Sequence, residues 1–247
     1  MLLELKSYSL KYKRFGENSI LIEWPSRINE SILENILVFK LELEKRYFNK
    51  PFFLKNSYNS LLITYKEIKN LKNKISELND IYTKLRIVQK QVFNKWEIPV
   101  CYEFKFGNDL DYLENSLSIK KEEIISLHYS SEYLVYNFGF LPGFLYLGGL
   151  NKKIHHPRKE NPTLEVPKGA VGIGGSQTGI YPNNSPGGWY IIGNSPINLF
   201  NSNKTSPCFI KPGDKIKFNP ISLKEYELIK IEVASNIYKP IKKKING

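Results

Sequence analysis

GFLPGFLYLGGL, Gly139 to Leu150, is followed from His155 to Pro196 by HHPRKENPTLEVPKGAVGIGGSQTGIYPNNSPGGWYIIGNSP. Twelve of the chain's 16 glycines fall between Gly139 and Gly193, and seven of its 14 prolines between Pro142 and Pro196. Glycine gives the backbone positive φ and close approach, while proline fixes φ and removes a donor. A flexible linker would lack the large apolar residues threaded through this stretch: Phe140, Leu141, Phe144, Tyr146, Tyr181, Trp189 and Ile191. Rigid punctuation between bulky anchors predicts short strands and ordered loops around a packed core, the usual way of building a site on loops.

Downstream, Ile197–Phe200, Pro207–Ile210, Lys215–Phe218 and Tyr226–Val233 read as further short strands separated by turn signals. Upstream, Glu97–Tyr102 and Glu132–Phe138 read as strands, with helices over Asp109–Ser116 and Lys120–His128, the latter capped by Ser118. Many short strands between Gly/Pro turns predict an antiparallel, mostly-β barrel over 95–240.

Residues 1–90 carry a different pattern. Strands Tyr8–Tyr12 and Ser19–Trp24 precede a helix over Ile28–Tyr47, whose Ile32, Ile36, Phe39 and Leu43 share a face. Phe52–Lys55 and Leu61–Tyr65 follow as strands, and Ile68, Leu71, Ile75, Leu78, Tyr82 and Leu85 mark a second helix. The order ββαββα predicts an α+β domain with helices on one face of an antiparallel sheet. The polar run from Gln89 to Lys95 is the expected boundary.

The 247 residues suffice for a sizeable core, and no apolar run approaches the roughly 20 residues that span a bilayer. The first residues, MLLELKSYSL, carry no signal-peptide pattern, which makes the cytoplasm the expected compartment. Net charge is +12, but the lysines are scattered without a basic helix or an aromatic RNA-binding motif. A solvated surface is expected, with neither nucleic acid nor membrane as partner. Cys101 and Cys208 are too few for a disulfide framework and read as buried thiols.

Gly169 to Gly179 is rich in glycine but carries no GK[ST] and no GxGxxG, so either a turn series or an anion-binding nest fits it. Arg158, flanked by Pro157, suits a carboxylate or phosphate; its alternative is an ion pair with Glu160 or Glu165. Adjacent His155 and His156 point opposite ways on extended backbone and cannot share a metal, so no metal site is expected. Gln177, Thr178 and Tyr181 together offer an amide, a hydroxyl and a phenol, or else cap turns and fill core. Trp189 reads as a core anchor.

The glycine-rich run, with LLITY, IPVCY, SLHYSSEYLVY and the PGD at Pro212–Asp214, resembles the family of 5-oxoprolinase B subunits (PxpB), also described as KipI kinase inhibitors or allophanate hydrolase subunit 1. The resemblance covers nearly the whole chain. It implies an N-terminal α/β domain followed by a cyclophilin-like β-barrel. It also implies ATP-dependent opening of 5-oxo-L-proline to L-glutamate together with subunits C and A, using ATP and Mg shared with a partner. Other members imply a module that docks on a sensor histidine kinase, or a carboxyltransferase part of a urea- or allophanate-metabolising enzyme. A lactam carbonyl is a poor electrophile, so phosphorylation of its oxygen would activate it. Members commonly read PRxxxPR and GRTP; this chain has Pro162-Thr163 and Gly193-Asn194-Ser195-Pro196, leaving Arg158 to carry more anion binding. One pocket is expected, with Arg158, Gln177, Thr178 and Tyr181 as its reacting groups. Gly174, Gly175, Ser176 and Lys168 are expected to bind substrate or nucleotide beside them.

Overall fold

The computed structural model describes residues 2–48, 50–85, 87–89 and 91–246. The chain divides into two compact units, residues 1–92 with 246–247, and residues 93–245. In the first, β1 (Leu2–Glu4) pairs antiparallel with β6 (Ile87–Gln89). Between them lie β2 (Lys11–Arg14), β3 (Ser19–Glu23), α1 (Glu30–Arg46), β4 (Phe52–Asn56), β5 (Ser60–Tyr65) and α2 (Leu71–Lys84). Strands β2-β3-β5-β4 form one antiparallel sheet in that order. Strand alternation puts Ile20 and Ile22 opposite Ile63 and Leu61, all fully buried. Onto that face α1 lays Ile32, Ile36, Phe39 and Leu43, and α2 lays Leu78, Ile81 and Tyr82. Asn29 and Asn70 accept the first free amides of the two helices. The expected boundary run includes Lys90, which lies outside the described residues; Ile87–Gln89 and the residues from Val92 are strand.

The second unit holds β7 (Val92–Val100), α3 (Leu110–Leu117), α4 (Lys121–Ser130), β8 (Glu132–Phe138) and β9 (Leu145–Gly148). After a 3-10 turn at Lys152–Ile154 come β10 (Thr163–Val166), β11 (Ala170–Gly174), β12 (Gln177–Ile180), β13 (Ser185–Gly187) and β14 (Tyr190–Asn194). Then follow β15 (Lys215–Pro220), α5 (Leu223–Ala234) and β16 (Ile241–Asn246). Eight strands form one sheet in the order β14-β11-β12-β9-β8-β15-β7-β16, and β10 pairs with β13 separately.

This corrects the expected barrel on two points. The sheet is mixed, because β15 runs parallel to β7 while pairing antiparallel with β8. It is also not closed. Among the described residues only an isolated bridge, Cys101 with Asn194, ties the end of β7 to β14 through two 2.9 Å hydrogen bonds. The β15 insertion is anchored by fully buried Asp214, whose carboxylate accepts from the amides of Asn94 and Lys211 and from Trp96 Nε1 at 2.8–3.0 Å.

Three local expectations also change. Tyr226–Val233 is helix, not strand, and Ile197–Phe200 and Pro207–Ile210 form only a Phe200–Cys208 bridge. Ser118 does not cap α4; it takes the left-handed φ of 55° that ends α3. No helix among the described residues is long and apolar enough to cross a membrane.

Candidate functional site

The β11–β12 hairpin organises the site. Gly174 pairs with Gln177, so Gly175-Ser176 is a two-residue turn, and Gly175 takes the φ of +65° that such a turn needs at its first centre. Successive residues of β12 then face opposite ways. Thr178 and Ile180 point into the large core with Ile173, Tyr133 and Phe218, whereas Gln177 and Gly179 point to the other side.

On that other side lies the indole of Trp189, only 4% exposed. It rests on three glycines. A Cβ on Gly179 would stand 2.9 Å from Trp189 Cζ3, one on Gly172 would stand 3.2 Å from Trp189 Cβ, and one on Gly174 would overlap the indole. Phe144 packs edge-on against Trp189 at 5.3 Å and against Tyr181 at 5.1 Å. Over the exposed side sits the Arg158 guanidinium, 5.7 Å from the indole centre. Among the described residues Arg158 has no ion-pair partner, so the expected alternative of a bridge to Glu160 or Glu165 is not what holds it. An indole face holds a guanidinium in place while leaving its N–H fork turned outward for a carboxylate or phosphate.

The backbone brings this about. His156 and Gly175 exchange hydrogen bonds of 3.2 and 2.7 Å, and the Lys159 amide donates to the Gly188 carbonyl at 2.8 Å. The HHPRKE segment therefore runs beside the hairpin and the start of β14. Arg158 falls over Trp189, and Lys159, facing the other way, falls over Tyr190 at 5.3 Å. Lys159 Nζ is held by both oxygens of Asp109 at 2.8 Å, and the same carboxylate accepts the Ile191 amide at 2.6 Å.

The expected pocket is thus partly assembled and partly divided. Arg158, Gln177 and Tyr181 share the Trp189 face. Tyr181 is buried in the small cluster with Phe144 and Trp189 rather than closing a pocket mouth. Burial pushes its phenol up to about 12, against the opposing pull of the Trp189 backbone amide and the Arg158 charge. Thr178 belongs to the opposite face. Its hydroxyl donates to the Gly172 carbonyl and meets His128 Nε2, both at 2.9 Å, and His128 Nδ1 meets the Tyr102 hydroxyl at 2.8 Å. It is a core strut and touches nothing on the Arg158 side.

The glycines are also differently used. The close approach at Gly174 is taken by Trp189, and the Gly175 amide is spent on His156, so neither presents a free donor to a phosphate. Ser176 is exposed at the turn. Lys168 is exposed, its amide held by Asn184 and its carbonyl by Asn194.

Sequence reading missed His128, fully buried and held neutral, its pKa lowered to about 3 by burial. It also missed the Asp109–Lys159 pair. Both are long-range contacts with no local sequence signal. Cys101 is buried as expected but Cys208 is only half-buried, and burial pushes both thiols up.

A family described as carboxyltransferase domain, subdomain C and D, matches residues 10–210. The B subunit of 5-oxoprolinase from Bacillus subtilis (strain 168) is 36% identical over 233 residues, which is 89% of this chain and 96% of that protein. The chain belongs to the family of 5-oxoprolinase B subunits. The B subunit from Haemophilus influenzae is 39% identical over 160 residues, covering 65% of this chain and 75% of its own length. The crystal structure of Kluyveromyces lactis urea carboxylase superposes with a TM-score of 0.81 at 18% identity, covering 100% of this chain and 25% of that one. That likeness is one of fold.

Thr163 and Asn194, the two expected departures from the family pattern, are both engaged within this chain. Thr163, at the end of PRxxxP, receives a 3.2 Å hydrogen bond from Lys159 Nζ. Asn194 is buried, accepting from the Tyr226 hydroxyl and donating to the Lys168 carbonyl, both at 3.0 Å. Neither supplies a cation, so on this face Arg158 is the guanidinium presented to solvent.

Proposed function

We propose that this chain is the B subunit of an ATP-hydrolysing 5-oxoprolinase, in which it works with subunits C and A to open 5-oxo-L-proline to L-glutamate. The carrying observation is the 36% identity with the Bacillus subtilis B subunit over 89% of this chain. In this reading Arg158, braced on Trp189, holds an anionic group of the substrate, its carboxylate or the phosphate of an activated intermediate, and Gln177 lies on the same face. ATP and Mg are shared with a partner subunit. Exposed Phe140 and Leu164, at 60% and 87%, are apolar surface that a partner would cover. The compartment is the cytoplasm. Carboxyl transfer ranks lower, because the urea carboxylase likeness, at 18% identity, is one of fold.

Reconstitution tests this. The purified chain alone is expected to turn over neither ATP nor 5-oxoproline, and mixing it with subunits C and A to restore both. Losing a charge-assisted hydrogen bond costs on the order of 1.5–3 kcal/mol, so Arg158→Ala should lower kcat/KM of the mixture about ten- to a hundredfold. Robust lactam opening by the single chain, or full activity with Arg158→Ala, would sink the reading.

A further inference from the structure

The second unit has a cavity of about 510 Å³ that shares no residue with the Arg158 face. Its walls come from the 197–209 segment, the end of α5 with the connection to β16, and the adjacent strands β7 and β16. Strand alternation sorts the side chains here. On one face of the β7–β16 pair, Lys243 is neutralised by Glu97 at 3.4 Å. On the other, Lys242 lies 5.4 Å from the centre of the Trp96 ring, and among the described residues no carboxylate side chain lines the cavity to balance it.

Lys204, from the 197–209 segment, adds a second cation to the lining. Phe209 stands edge-on to Trp96 at 4.8 Å, and Tyr238 supplies a third aromatic wall. Asn201 and Asn236 place neutral amides at the margin. Neither Lys204 nor Lys242 has an ion-pair partner among the described residues.

A volume of this size suits a small ligand rather than a few waters. Aromatic walls select a flat apolar body, and uncompensated ammonium groups select a negative charge attached to it. We infer that this cavity binds a small planar aromatic anion, a ring carrying a carboxylate or a phosphate. The site goes beyond the proposed activity and does not depend on it. The lactam is neither aromatic nor large enough to fill it.

Calorimetric titration of the purified full chain tests the inference with four probes. Indole-3-acetate offers a ring with a carboxylate, and AMP a ring with a phosphate. Inorganic phosphate offers charge without a ring, and adenosine a ring without charge. At least one ring anion is expected to bind with Kd below about 1 mM, and phosphate and adenosine at least about tenfold more weakly. Preference between the first two decides which anion the site takes.

Lys242→Gln and Lys204→Gln, both at exposed side chains, should each weaken that binding about threefold or more with near-UV circular dichroism unchanged. Three results would overturn the inference: neither ring anion binding at 5 mM (about fivefold above that limit), phosphate binding as well as the ring anions, or affinity indifferent to both lysine substitutions. Because no partner subunit takes part, failure here leaves the 5-oxoprolinase reading untouched, and failure of reconstitution leaves this site untouched.

Discussion

Single residues show where chemistry and architecture part company in this chain. Thr178 and Gln177 are neighbours in sequence, yet one serves the interior and the other the Arg158 face, because a strand turns successive side chains to opposite sides. His128 shows what burial does to a titratable group. An unfolded histidine takes up a proton below about pH 6.5, whereas this one resists until about 3. Between those values the unfolded chain binds more protons, so stability falls as pH falls, by up to about 1.4 kcal/mol per pH unit. Thermal unfolding followed from pH 7 to pH 5 should show Tm dropping, and His128→Gln should flatten that dependence. An equally steep profile in the variant would place the proton uptake elsewhere. Arg158 was legible from sequence as a braced cation. What braces it was not, since Trp189 read only as core.

Elements were legible where their periodicity was undisturbed. Both helices and three of the four central strands of the first unit follow their apolar spacing, because one face of each is turned to the core; the strand expected over Tyr8–Tyr12 instead runs over Lys11–Arg14, where no residue is fully covered to mark it. α5 was not legible as a helix. Ile229, Ile231 and Val233 alternate like a strand, and Tyr226 is its only buried residue, so no helical stripe reaches the eye. The signal that was available is the capping box. Ser222 Oγ accepts the Glu225 amide at 3.3 Å, and the Glu225 carboxylate accepts the Ser222 amide at 2.8 Å. With so little burial, α5 leans on that cap. Ser222→Ala should cost about 1 kcal/mol, seen as faster amide exchange concentrated in residues 223–234. Unchanged protection there would mean that packing of Ile229 and Val233 suffices.

At the scale of the whole molecule, composition spoke to a strand-rich second half but not to its connectivity. β15 inserts beside β7 in parallel through Asp214 and its three donors, contacts as far as 120 residues apart. No local pattern announces such a pairing. Each unit draws its apolar clusters from its own residues, 8–85 in one and 96–238 in the other. Residues 93–245 expressed alone are therefore expected to unfold in one cooperative transition; a gradual melt would show that residues 1–92 are required. The placement of the three tryptophans has a practical corollary. Trp24 is enclosed among Asn35, Phe39 and Tyr82, Trp96 lines the cavity under Lys242, and Trp189 lies under Arg158. Two of the three indoles thus carry a positive charge that an arriving anion would neutralise. The chain carries its own fluorophores at both candidate sites, and spectra of single-tryptophan variants would report occupancy of each without any added label.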